Sequence, residues 1–135
     1  MGTWDAGPFD NDTAADFAGR LDAAVPERRT GLLRAALERA LTMDYLESDE
    51  AAEAVAAAAL VAAQCPGGEP VDPAYGPKSP IPLVGAEVAD LAVRVLDRVG
   101  LPDCELAELW ADSGEEGRWR ECLARLRGVL VGGGG

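Results

Sequence analysis

The chain of 135 residues contains no histidine. That absence removes Ser-His-Asp and Cys-His nucleophile systems, HExxH metal sites and imidazole proton shuttles. Lysine is nearly missing as well, with Lys78 alone among 12 basic residues, and Asn11 and Ile81 are the single representatives of their types. This bias reads as high-GC bacterial coding and carries no functional weight. Aromatic residues are few, three Trp, two Tyr and two Phe, so a core has to be built from Ala, Leu and Val. Basic charge is outweighed by 24 Asp and Glu, giving a net charge of −12. A phosphate backbone needs clustered Lys and Arg to displace its counterions, so neither nucleic acid nor an anionic membrane surface is an expected partner. The acidity fits plain solubility, a basic protein partner or bound cations.

Long apolar runs are also lacking. The stretch 54–63 is too short and too Ala-rich to span a bilayer, and residues 1–20 have neither a basic start nor an apolar run, so a cytoplasmic location is expected. Met1-Gly2 invites myristoylation, but Ala6 stands where Ser or Thr is required. Cys65, Cys104 and Cys122 are odd in number and lack CxxC spacing, which predicts reduced thiols in a reducing compartment. Gly67-Gly68 is followed by Glu-Pro and so cannot open a phosphate loop. Asp10-x-Asp12 begins like a calcium loop, yet Ala15 and Leu21 occupy the positions of the turn glycine and the bidentate Glu.

What is present is helical periodicity. The length suits one domain, able to bury roughly 70% of its unfolded surface. The expectation is an all-α, compact single-domain bundle of five to six helices over residues 1–131, followed by a flexible Gly tail at 132–135. Phe17, Leu21 and Ala24 share a face in a first helix, where Thr13 and Asp16 have capping-box spacing. Pro26 suits the first turn of a second helix carrying Leu33, Ala36, Leu37, Ala40 and Leu41. A third, Ala-rich helix runs from Ser48 to Gln64 and belongs at the centre, because small side chains permit close approach. Six of the nine prolines fall in a connection at about 65–84, and Val71–Pro82 is expected to lack regular structure. A fourth helix, roughly 84–99, carries Val84, Val88, Leu91, Val95 and Val99 and stops at Gly100. Asp103 is placed to cap a short fifth helix through Trp110. Gly114 ends it, and Trp119, Cys122, Leu123, Leu126 and Leu130 line a last one.

Three sets of residues carry a family resemblance. They are Gly2-Thr3-Trp4 through Gly7 with Phe9-Asp10-Asn11-Asp12 and Ala14; Tyr45-Leu46-Glu47 before the Ala-rich helix; and Leu109-Trp110-x-x-Ser113-Gly114. Together they resemble a bacterial family known as domain of unknown function 4259, over nearly the whole chain. Asp5-Ala6 departs from the Gly-Thr associated with the family at that turn. The resemblance implies one coherent domain and no activity, substrate or cofactor.

Most acids have local partners, since Asp16–Arg20, Asp90–Arg94, Glu116–Arg120 and Glu121–Arg125 stand at i,i+4 with the acid first. Asp44, Glu47, Asp49, Glu50 and Glu53 do not. Glu50 and Glu53 are i,i+3 neighbours and repel unless something answers them. Three answers compete. The helix dipole with Arg28, Arg29 or Arg34 could neutralise the group. The ridge could dock a basic protein, as small inhibitor- or immunity-like proteins do, with Trp4, Glu47, Asp49, Glu50 and Glu53 as contact residues. Alternatively Asp10, Asp12, Glu47, Glu50 and Glu53 could hold Mg, Mn or Ca through oxygen ligands, in a metal-dependent hydrolase. No catalytic residue stands out, and an interaction module without enzymatic activity or cofactor is the primary expectation. Trp110 and Trp119 fall on apolar stripes and are expected in the core.

Overall fold

The computed structural model describes residues 12–65, 84–101 and 103–133. Within them the chain forms α1 (Asp12–Ala23), α2 (Pro26–Thr42), α3 (Ser48–Ala63), α4 (Ala86–Val99), α5 (Glu105–Ser113) and α6 (Glu116–Gly133). Among the described residues there is no strand, and β pairing is limited to one isolated parallel bridge between Leu46 and Cys104. The all-α class follows from the 3.6-residue periodicity of every apolar segment.

α3 organises the bundle. From Ala51 to Ala62 every residue except Glu53 is buried, the pattern of a helix surrounded on all sides. Its alanines project one methyl each, so neighbouring axes approach closely, and α3 touches each of the other five helices. The neighbours supply the bulk that α3 lacks: Phe17 and Leu21 from α1, Leu33 and Leu37 from α2, Val95 and Val99 from α4, Trp119, Leu123 and Leu130 from α6. Trp110 of α5 stacks on Trp119, centroids 6.4 Å apart and planes 15° apart, which joins α5 to α6.

Several helix ends differ from the sequence expectation for tertiary reasons. Thr13 lies inside α1 and gives its hydroxyl to Asp49 Oδ1 of α3 at 3.1 Å instead of capping its own helix. Asp103 does not cap α5; the N-cap is Cys104, and Asp103 takes a left-handed φ of 66° that turns its carbonyl back towards the α2–α3 turn. Gly100 ends α4 at an ordinary φ of −86°, so no left-handed turn requires it, and a Cβ there would meet the mobile end of the Arg120 side chain, Nη1, at 3.3 Å. Gly114 does what its position predicts and takes φ 82° after α5. α6 stays helical through Gly133, past the expected boundary at residue 131. The expectation for Val71–Pro82 lies outside the described residues.

No helix of the described residues is long and apolar enough to cross a membrane. Among the described residues Cys65, Cys104 and Cys122 form no disulfide; Cys65 Sγ donates to the Val61 carbonyl at 3.6 Å, and Cys104 is fully buried.

Candidate functional site

The α2–α3 turn, residues 43–47, and the α4–α5 turn, residues 100–104, lie side by side and close one end of the bundle. Leu46 is the plug, with no exposed surface. Its amide donates to the Asp103 carbonyl at 2.8 Å, and its own carbonyl accepts the Glu105 amide at 2.8 Å. The Ser48 amide at the start of α3 donates to Glu105 Oε1 at 2.8 Å, so an α5 side chain serves an orphan donor of another helix. Arg98 Nη2 reaches over from α4 and donates to the carbonyls of Met43, Asp44 and Asp103 at 3.4, 3.0 and 3.1 Å. Tyr45 completes the clasp by donating its hydroxyl to Glu108 Oε2 at 2.6 Å. That hydrogen bond, with lesser contributions from desolvation and from the charges of Glu108 and Glu105, pushes the Tyr45 phenol up to about 12.

The clasp gathers acids from both turns. Asp44, Glu47, Asp49, Asp103 and Glu108 are exposed around it, and Glu50 and Glu105 are half-buried. Of the residues expected to bind a partner, Glu47 stands at the α3 N-cap without a side-chain capping bond, and its carbonyl accepts the Ala51 amide at 3.0 Å. Asp49 takes the Thr13 hydroxyl, which sets the start of α1 beside the start of α3. Glu53 differs from the rest. Its side chain is only 12% exposed, and it is paired with Arg20 of α1 and with Arg39 Nη1 of α2 at 3.4 Å.

The bases paired with the ridge are Arg20 and Arg39, both at Glu53, and of the three expected from the sequence Arg29 and Arg34 turn elsewhere. Arg29 is buried with Nε on the Leu21 carbonyl at 3.0 Å, and Arg34 stands between Glu38 and Glu87. Arg28 lines an open groove of about 910 Å³ at the α1–α2 turn, together with Arg20, Val25 and Leu32. Arg20 turns to Glu53 and over the Phe17 ring, whereas Asp90–Arg94 and Glu116–Arg120 pair as their spacing predicts, each at 3.0 Å.

Trp4, expected to contact a partner, and Asp10, of the metal alternative, lie outside the described residues, and Asp12 is described only as the first residue of α1. Glu53 has both oxygens facing arginines, so a cation there would have to displace two guanidinium groups. Among the described residues no group of three or more Cys, Asp or Glu side chains converges to hold a metal ion. Sequence reading missed Glu105, Glu108 and Arg98, whose partners lie 54 to 63 residues away.

The family model described as "Domain of unknown function (DUF4259)" matches residues 2–122. The chain belongs to this family. No curated protein and no solved structure matches it. In this DUF4259 chain the recognisable motifs of the described region are structural in their contacts. Tyr45-Leu46-Glu47 forms half of the clasp. Trp110 stacks on Trp119, and Ser113 Oγ donates to the Trp110 carbonyl at 2.8 Å while accepting the Glu115 amide at 3.1 Å, which secures the turn at Gly114.

Proposed function

We propose that the chain is an interaction module without catalytic activity, and that the acidic face around the clasp receives a basic protein surface. The observation that carries this reading is the convergence of exposed acids from two distant segments, 44–49 and 103–108, on one end of the bundle. Helix dipoles account for Asp49, Glu50, Glu105 and Glu108, which sit in first turns. They do not account for Asp44 and Asp103, which lie in the turns themselves. At Asp103 a Gly or Asn would tolerate the positive φ as well and would remove a like charge. Acids placed against mutual repulsion on an exposed face favour fast, salt-sensitive association with a basic partner.

The test is capture of proteins from the host lysate by three tagged chains: wild type, D44N/E47Q/D49N, and a control with equal charge change on other faces, D90N/D112N/E121Q. A partner retained by wild type and control, lost by the clasp variant and released by moderate salt supports the proposal. Equal retention by all three chains overturns it.

A further inference from the structure

We infer that Arg98 couples the two acidic turns, so that residues 43–48 and 103–105 open and close as one unit. A single nitrogen, Nη2, donates to carbonyls of both turns, Met43 and Asp44 on one side and Asp103 on the other. The Asp103 carbonyl is the node, since it accepts Arg98 at 3.1 Å and the Leu46 amide at 2.8 Å. Both lone pairs are thereby used. They are aimed by a φ of 66°, a conformation that a non-glycine residue keeps only when its surroundings hold it. Release of Arg98 removes a donor from both turns at once. Leu46 is fully buried and bonded through both its amide and its carbonyl, so the turns cannot part without moving it, and the Ser48–Glu105 bond goes with it.

As a statement about binding, this rests on the acidic-face reading: a partner would meet a preassembled site and would be spared the ordering of two loops. As a statement about motion it stands alone, so loss of one leaves the other testable. Amide hydrogen exchange reads it directly. In R98Q the amides of Leu46, Ser48 and Glu105 are expected to exchange faster together, by on the order of tenfold or more, while Val55–Val61 of α3 keep their protection. R98K is expected to restore most of the protection, because the three carbonyls converge on one nitrogen and an ammonium carries three donors. Unchanged exchange at the three amides, or acceleration at one turn only, overturns the coupling, as does an equal rise throughout α3. Should R98Q fail to fold, the wild-type chain decides: with rising urea the three amides are expected to share one opening curve below that of global unfolding. Separate curves contradict the inference.

Discussion

Tyr45 gives the acidic face a chemical reporter. Its neutral phenol is the form the fold favours, so the contact with Glu108 contributes stability below pH 10.0, the ordinary value, and loses it as the pH rises from there towards about 12. In a Y75F background, absorbance at the phenolate band is expected to place the Tyr45 midpoint near the upper figure, and E108A is expected to return it towards the ordinary one. A midpoint unmoved by E108A would mean that the hydrogen bond is not made. Glu53 offers a second residue test. Its side chain is only 12% exposed and has two arginines, so E53Q is expected to destabilise the chain by about 1 kcal/mol in urea, less at high salt. E50Q, at a half-buried site, is expected to stay within about 0.5 kcal/mol of wild type. The need for bases was legible from the spacing of Glu50 and Glu53, and the structure supplies them at Glu53. Which bases was not, because Arg20 had a local partner in Asp16 and its turn towards Glu53 depends on α1 lying against α3.

Helices were the most legible level, since each is written in local periodicity. The centrality of α3 could be read from its alanines, which would make no stripe worth burying unless neighbours approached from every side. That packing gives a sharp expectation. Ala57 has no exposed surface, and A57L is expected to cost about 2 kcal/mol, measured by urea midpoint, because the added methylenes must be forced into a site enclosed by neighbouring helices. Gly114 marks the other limit of legibility. Its φ of 82° was foreseeable from a glycine at the end of a helical pattern, and G114A is expected to cost about 1 kcal/mol. Asp103 has the same backbone sign without the glycine, and nothing local announced it. Thr13 differs for a similar reason: capping spacing is a local signal, and a hydroxyl already inside the first turn can find a carboxylate on another helix instead.

For the molecule as a whole, architecture was readable and the shape of the acidic face was not. Five acids between Asp44 and Glu53 drew attention to one side of the face. The other side, Asp103 with Glu105 and Glu108, looked like a helix start with ordinary dipole chemistry, and only tertiary pairing across 63 residues makes it part of the same surface. Burial of Leu46 and Cys104 brings them together, and no spacing rule encodes that contact. The two-segment face is also what separates the interaction reading from a ridge confined to α3. It is tested most directly by the hydrogen-exchange footprint of a captured basic partner on the wild-type chain. Simultaneous protection at 44–49 and 103–108 is the expected result. Protection confined to the α1–α2 groove around residues 20–32, with both turns unchanged, would contradict it.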